Sequence, residues 1–229
     1  MQLFLTSVSG GVESIEYLKE NINSMTQLVV LPFANHLEYL SCAEDLYNHF
    51  DRNRFNKESI FWETIKPFVD IGINPDRVVI INRFTDPIGL IKHKLLADNT
   101  IVYLPGGFPE NIVKILKELK LTDVIKQCKI VVGESAGSMF WSRKYFVYPD
   151  QDYPKYKCYR GIRFIKNFVI IPHYNDNDID FAINVLNAAY KFKKFHREKV
   201  YLVRDGGWVW YDSDKGKVIK EYNCVTIKE

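Results

Sequence analysis

The sequence predicts an α/β fold in which a mostly parallel β-sheet carries helices on both faces. Short strands that are apolar along their whole length alternate with helical patterns through the first two thirds of the chain, as in parallel sheets that are buried on both sides. Nearer the C terminus, short strand patterns follow one another with turn residues between them, which predicts antiparallel hairpins. We expect one doubly wound α/β domain over residues 1–229.

The elements of the parallel part follow from runs of Val, Ile and Leu and from helical spacing of apolar residues. In chain order they are strand 3–8, helix 12–22, strand 28–33, one or two helices within 37–69, strand 77–81, helix 88–96, strand 100–104, helix 109–119, strand 128–132 and helix 136–141. Pro109 suits the first turn of its helix, because a backbone N–H is not needed there.

The last third changes character. Residues 145–160 are rich in Tyr, Pro, Asp and Lys and predict an extended loop or hairpin, followed by a strand at 164–172 and a helix at 178–192. Short strands are then expected at 201–203, 208–211 and 218–227, with turns at 205–207 and 212–216.

The composition indicates a globular protein and gives no sign of a nucleic-acid, metal or membrane partner. Hydrophobic residues make up 47% and charged residues 26% of the chain, and 31 Lys and Arg face 28 Asp and Glu, which is typical of a globular protein without a nucleic-acid partner. The four cysteines lie far apart with no CxxC pair, so we expect no metal site and no disulfide framework. No apolar run is long enough for a membrane span and no signal segment is recognisable, so we expect a cytoplasmic location and no membrane partner.

The first chemical candidate is Ser135, in the segment Gly133-Glu-Ser-Ala-Gly137 between a predicted strand and a predicted helix. A sharp turn of this kind can expose a serine hydroxyl beside the free N–H groups of a helix N-terminus. The five-residue pattern alone is equally compatible with a structural turn.

A second glycine corner, Gly106-Gly107, follows the preceding strand. The carboxyl ends of parallel strands meet at one edge of a sheet, so its backbone N–H groups are expected near Ser135. Taken by itself, the corner is more typical of a plain strand-to-helix turn.

Of the five histidines, His173 alone follows a buried strand pattern, in Pro-His-Tyr-Asn. His36, His49, His93 and His196 lie in polar helical surroundings and are expected at the surface. His173 is a candidate general base, with a structural histidine as the alternative. Asp205 ends another apolar strand and could orient the imidazole, although Asp-Gly is also an ordinary turn signal.

Taken in order, these segments resemble the peptidase E (aspartyl dipeptidase) and cyanophycinase family of serine peptidases, whose fold is that of class I glutamine amidotransferases and is flavodoxin-like. The resemblance implies a catalytic triad of Ser135, His173 and Asp205. It implies an oxyanion hole from the backbone N–H groups of Gly106 or Gly107 and of Ala136. It also implies that Phe108, Glu134 and Asn175 border a small peptide substrate, with no cofactor, in a monomer or homodimer. The tyrosine-rich segment 145–159 is expected to border the site as a lid.

The chain departs from the family in two places. Phe108 stands where the family usually has Asn after the paired glycines. The stretch after the histidine motif, 175–180, carries three aspartates and no arginine, so we expect a specificity other than N-terminal Asp, since carboxylates repel an acidic side chain. The three aspartates are equally typical of a helix start.

Three alternatives remain open from the sequence. The chain could be a catalytically inactive amidotransferase-like binding module, or a hydrolase of small amides or esters that uses the same serine. If Asp205 pointed away from His173, an aspartate within 176–180 would be the next candidate for the third triad residue.

Overall fold

A computed structural model describes residues 1–35, 40–51 and 56–227 of the protein. His36 and two parts of the predicted helical stretch 37–69, residues 37–39 and 52–55, lie outside the described residues. The strands are β1 Gln2–Thr6, β2 Gln27–Val30, β3 Val78–Ile80, β4 Thr100–Leu104, β5 Ile130–Glu134, β6 Lys144–Val147, β7 Lys157–Arg160, β8 Phe168–Ile171, β9 Lys199–Asp212 and β10 Lys217–Ile227.

The α-helices are α1 Glu16–Asn21, α2 Ala43–Leu46, α3 Ile60–Asp70, α4 Ile88–Leu96, α5 Pro109–Glu118, α6 Thr122–Ile125, α7 Ala136–Met139 and α8 Ile179–Lys193. Short 3₁₀-helices at Ser9–Ser14 and Pro75–Arg77 and a π-helical turn at Tyr47–Asp51 complete the description. Among these described helices, none combines the length and the apolar character that crossing a membrane requires.

The predicted fold class is confirmed. Seven strands lie in the order β10-β9-β1-β5-β4-β2-β3, and β8 pairs with β9. Strands β1, β5, β4, β2 and β3 are parallel to one another, whereas β9 is antiparallel to β1 and β10 is antiparallel to β9. Helix α4 and strand β4 have the predicted bounds, and residues 144–160 form the antiparallel hairpin β6–β7.

The sheet is buried on both faces, as all-apolar strands predict. Successive side chains of one strand enter different core clusters: Leu3 and Leu5 belong to one cluster and Phe4 to the other. Val131 and Val132 are divided between the two clusters in the same way. Both layers therefore hold the central strands in place, and with them the residues at the strand ends.

Two predicted helices are shorter than expected. The helix predicted at 12–22 is a 3₁₀-helix followed by α1, because Ile15 between them adopts an extended conformation and buries its side chain. The helix predicted at 136–141 ends at Met139. Phe140 and Trp141 beyond it are fully buried, so packing rather than helix propensity decides the course of the chain here.

The turn predicted at 205–207 is wrong. Residues 205–207 lie inside β9, in an irregular bulge: Val203 pairs with Cys224 and Trp208 with Tyr222, so four residues of β9 face one residue of β10. Strand β10 follows one edge of β9, while the other edge pairs with β8 before the bulge and with β1 after it. The carboxyl ends of β8 and β1 therefore face each other at the bulge.

Candidate active site

Ser135 occupies a sharp turn between β5 and α7. Its backbone angles are φ 48° and ψ −114°, in a region that costs an L-residue about 1–3 kcal/mol. Its N–H donates to the carbonyl of Thr6 at 3.0 Å, and its own carbonyl accepts from the N–H of Ser138 at 2.9 Å. The surrounding structure thus holds the serine in a strained conformation at the end of a central strand.

The glycines on either side of Ser135 are required by close contacts between backbone segments. A Cβ on Gly133 would lie 2.2 Å from the carbonyl oxygen of Gly137, and a Cβ on Gly137 would lie 2.1 Å from that of Leu104. Both distances are far below a van der Waals contact. The two glycines of the Gly-x-Ser-x-Gly pattern are therefore needed for the backbone to form this sharp turn.

His173 and Asp205 lie in line with Ser135. The Nε2 atom of His173 is 2.8 Å from Oγ of Ser135, and its Nδ1 atom is 3.0 Å from Oδ1 of Asp205. His173 follows β8 and has a φ of 59°, a left-handed conformation that turns the chain at this point. The structure thus brings the three predicted residues together from three different strands.

Ser7, which the sequence did not single out, joins two of these residues. Its side chain is fully buried at the end of β1. The hydroxyl donates a hydrogen bond to Oδ1 of Asp205 at 2.8 Å and accepts one from the backbone N–H of His173 at 2.7 Å. The signal in the sequence was the position of Ser7, directly after a central parallel strand whose carboxyl end faces the site.

The second glycine corner lies against Ser135, as predicted. A Cβ on Gly106 would be 3.3 Å from Cβ of Ser135. Gly107 has a φ of 132°, and a Cβ there would lie 2.4 Å from the carbonyl oxygen of Ala34, so only glycine fits. Within the described residues, the N–H groups of Gly107 and Ala136 have no backbone acceptor, and both residues line the same cavity as Ser135.

The three residues expected beside the substrate have different surroundings. Phe108 is half-buried at the start of α5, with its ring centroid 5.8 Å from that of Tyr153. The carboxylate of Glu134 accepts a hydrogen bond from the hydroxyl of Tyr103, which is fully buried. Asn175 is exposed and its side chain accepts the N–H of Asn177 at 3.0 Å. The structure therefore places Glu134 and Asn175 in local hydrogen bonds of their own.

A cavity of about 180 Å³ opens in front of Ser135 and His173. Its floor and one wall come from Gly107, Pro109, Ala136, Met139 and Pro172. The other wall comes from the β6–β7 hairpin, through Val147, Tyr148, Asp150, Asp152 and Tyr153. The tyrosine-rich segment thus borders the site.

Two of the three aspartates in the acidic stretch 175–180 have hydrogen-bond partners within the protein. Asp176 pairs with Arg204 of β9, whose Nε lies 3.0 Å from Oδ1, and this hydrogen bond lowers the pKa of the Asp176 carboxyl. Asp178 accepts the N–H of Phe181 at 3.0 Å and caps α8. An arginine therefore reaches this stretch from another strand, and at least two of the aspartates have structural partners.

Burial suppresses the reactivity of two thiols. Burial raises the pKa of Cys128 to about 12, and it also raises the pKa of the half-buried Cys224 to about 12. A protonated thiol is a poor nucleophile, so neither cysteine is expected to react near neutral pH. Within the described residues there is no group of three or more His, Cys, Asp or Glu side chains that could hold a metal ion.

A parallel α/β sheet with a strained serine at the end of a central strand is an arrangement found in the class of α/β serine hydrolases. The model of peptidase family S51 matches residues 3–219. The chain belongs to this family, and the resemblance inferred from the ordered motifs is confirmed.

Solved structures show the same fold. A "Putative Peptidase E Protein" from Listeria monocytogenes EGD-e superposes with a TM-score of 0.62 at 18% identity, covering 100% of this chain and 98% of that one. A peptidase from an acI-B1 Actinobacterium superposes with a TM-score of 0.57 at 13% identity, covering 100% and 87%. No curated protein matches the chain. At these identities the similarity concerns the fold.

Proposed function

We propose that the protein hydrolyses short peptides through a catalytic triad of Ser135, His173 and Asp205. The observation that carries the proposal is the line of contacts from Ser135 Oγ to His173 Nε2 at 2.8 Å and from His173 Nδ1 to Asp205 at 3.0 Å. This is the arrangement in which an imidazole removes a proton from a serine while a carboxylate orients the ring. Membership of a serine peptidase family supports the same reaction.

In the first half of the reaction, His173 takes the proton of Ser135 as Oγ attacks the scissile carbonyl carbon. The tetrahedral intermediate collapses when His173 donates that proton to the leaving amine, and an acyl-enzyme remains. In the second half, His173 activates a water molecule that attacks the ester, and the proton returns to Oγ. Asp205 stabilises the imidazolium that exists between these transfers.

The negative oxygen of the intermediate needs hydrogen-bond donors that are already in position. Gly107 and Ala136 line the cavity at Ser135, and their N–H groups have no backbone acceptor within the described part of the chain. We assign them as the oxyanion hole, with Gly106 packed behind the serine side chain. The cavity of about 180 Å³ is smaller than the roughly 300–1,000 Å³ of pockets that enclose a whole small ligand, so it can hold only part of a peptide substrate.

A fluorophosphonate probe tests the proposal directly, because it labels a serine only when a neighbouring base activates the hydroxyl. We expect stoichiometric labelling, found at Ser135 by mass spectrometry of the digested protein. A folded protein that takes up no label would instead be the inactive binding module. Ser138 is an internal control. Its hydroxyl donates a hydrogen bond to the carbonyl of Ser135, so we expect it to stay unlabelled.

A substrate panel separates peptidase activity from a general ester or amide hydrolase. Dipeptides, amino-acid amides and simple alkyl esters are assayed with the same enzyme preparation. We expect the highest kcat/KM on dipeptides, and comparable values on alkyl esters would favour the second alternative.

A further inference from the structure

The cavity in front of Ser135 carries a net negative charge. Asp150 and Asp152 line it from the β6–β7 hairpin, and within the described residues that line it there is no lysine or arginine. The hairpin loop is ordered by hydrogen bonds: Oδ1 of Asp150 accepts the N–H groups of Asp152 at 2.9 Å and Tyr153 at 2.7 Å. The Asp150 carboxylate is thus held in place by the loop, and Asp152 lies in the same loop on the wall of the cavity in front of Ser135.

A mostly buried tyrosine in the same wall has a hydroxyl without a protein hydrogen-bond partner among the described residues. Tyr148 is only 7% exposed and lines the cavity, yet its hydroxyl makes no hydrogen bond within the described residues. Burial, with the charges of Asp150 and Asp205 nearby, raises the pKa of Tyr148 well above the usual range, so the phenol stays neutral. Because Tyr148 lines the cavity and its hydroxyl has no protein partner among the described residues, the hydroxyl oxygen is available to accept a hydrogen bond from a ligand group.

The walls of this cavity are held in place from outside. The hydroxyl of Tyr153 donates to Oε2 of Glu110 in α5 at 2.8 Å, and that of Tyr159 donates to Oε1 of the same carboxylate at 3.3 Å. Glu110 therefore ties the hairpin to α5, next to the glycine corner. A cation entering the cavity meets aromatic rings, a neutral hydroxyl and two carboxylates, which together favour an ammonium or guanidinium group.

We propose that this cavity binds a cationic side chain, that of lysine or arginine, on the residue whose carbonyl Ser135 attacks. The inference rests on the proposed peptidase reaction and names its substrate class. It also changes the reason for excluding acidic substrates: the repelling charges are Asp150 and Asp152 on the hairpin, rather than the paired or capping aspartates of 175–180. Because both carboxylates are exposed, each contributes modestly, and together they are expected to favour a cation about tenfold.

The test compares three dipeptides with free N-termini, Lys-Ala, norleucyl-Ala and Glu-Ala. Lysine and norleucine share the same aliphatic chain, so their ratio isolates the charge. We expect kcat/KM about tenfold higher for Lys-Ala than for norleucyl-Ala, and lowest for Glu-Ala. In the double variant Asp150→Asn and Asp152→Asn, the ratio of Lys-Ala to norleucyl-Ala falls close to one. Asparagine keeps the side-chain oxygen that accepts the loop N–H groups, so the hairpin is preserved.

Asp123→Asn is the matched control, because it removes an exposed carboxylate at the opposite end of β5 and should leave the ratio unchanged. A ratio near one in the wild-type protein, or one that the double variant does not alter, overturns the inference. If no dipeptide is hydrolysed, the proposed function fails instead. Calorimetric binding of Lys-Ala and norleucyl-Ala to Ser135→Ala then still decides whether the cavity prefers the cation.

A second, independent observation concerns Ser7. We infer that Ser7 is a positioning residue that fixes His173 and Asp205 with respect to each other. One buried oxygen contacts both residues, at 2.7 Å to the N–H of His173 and 2.8 Å to Oδ1 of Asp205. The backbone N–H of Ser7 also donates to the carbonyl of Gly207, in the same bulge as Asp205, at 3.2 Å. Ser7 thereby joins the ends of β1 and β8 to the bulge of β9.

Replacing Ser7 by alanine is expected to lower kcat about 10- to 100-fold with little change in KM, because small displacements of catalytic groups have effects of this size. The Ser7→Thr variant, which keeps the hydroxyl, should recover most of the rate. In the NMR spectrum, the downfield proton of the hydrogen bond between His173 and Asp205 should shift or broaden in Ser7→Ala.

Ser142→Ala is the control for loss of a buried hydrogen bond, since the hydroxyl of Ser142 is buried and donates to the carbonyl of Phe168. It should destabilise the fold to a similar extent without the effect on kcat. The assignment of Ser7 is wrong if Ser7→Ala keeps its kcat and its downfield resonance, or if Ser142→Ala loses kcat equally.

Discussion

Replacement of Ser135 by alanine is expected to lower kcat/KM for peptide hydrolysis by a factor of about 10⁴ or more, because the triad acts as a unit and loses its nucleophile. The turn itself does not depend on the hydroxyl, since its backbone contacts to Thr6 and Ser138 are made by main-chain atoms. The variant should therefore fold, as circular dichroism and thermal unfolding will show. Retained activity in the folded variant would exclude Ser135 as the nucleophile.

Ser135→Gly separates chemistry from backbone strain. Both variants lack the hydroxyl and should be equally inactive. Glycine, however, adopts φ 48° and ψ −114° without the penalty that alanine shares with serine. We expect Ser135→Gly to be more stable than Ser135→Ala by about 1 kcal/mol, the relief of strain being partly offset by the greater entropy of the unfolded chain. Urea unfolding of the two proteins measures the difference, and equal stabilities would mean that the turn is not strained.

The sequence predicted the parallel part of the fold well because each strand there is buried on both faces. Such strands are apolar throughout, and the helices between them keep their spacing. Helix α4 and strand β4 were predicted at their observed bounds for this reason. The residues of the site were predictable by the same logic, since Ser135 and His173 directly follow such strands and the carboxyl ends of parallel strands share one edge.

The bulge in β9 was not predictable in this way. Asp-Gly-Gly at 205–207 has the local signature of a hairpin turn, and the strands on either side read as separate elements. The segment forms a bulge within one strand because that strand pairs with segments far away in sequence, β8 on one side of the bulge and β1 on the other. The residues Ser7 and Asp205 are in contact although 198 positions separate them in the sequence, so local sequence patterns cannot predict this contact either. Local sequence patterns predict which residues lie at the ends of strands. They do not predict which strands pair with each other.

The second large effect is expected for Gly137→Ala. Gly137 lies in α7 and has no left-handed backbone, so helix propensity alone predicts that alanine stabilises the protein by about 1 kcal/mol. The added Cβ, however, would lie 2.1 Å from the carbonyl oxygen of Leu104 and 3.0 Å from its Cβ. Because β4 and α7 are both packed into the core, neither can move away cheaply. We expect a net destabilisation of about 3 kcal/mol or more, measured by urea unfolding.

Gly89→Ala is the matched control. Gly89 also lies in a helix, α4, but an added Cβ there has no neighbour within 4 Å, so propensity acts alone and stability should rise by about 0.5–1 kcal/mol. Opposite signs at the two glycines would show that the turn at Ser135 is held by contact between backbones. Since that contact also sets the positions of the nucleophile and of the N–H of Ala136, we expect any Gly137→Ala protein that folds to lose fluorophosphonate labelling as well. A stable, normally labelled Gly137→Ala protein would contradict the close packing of α7 on β4 on which the geometry of the site depends.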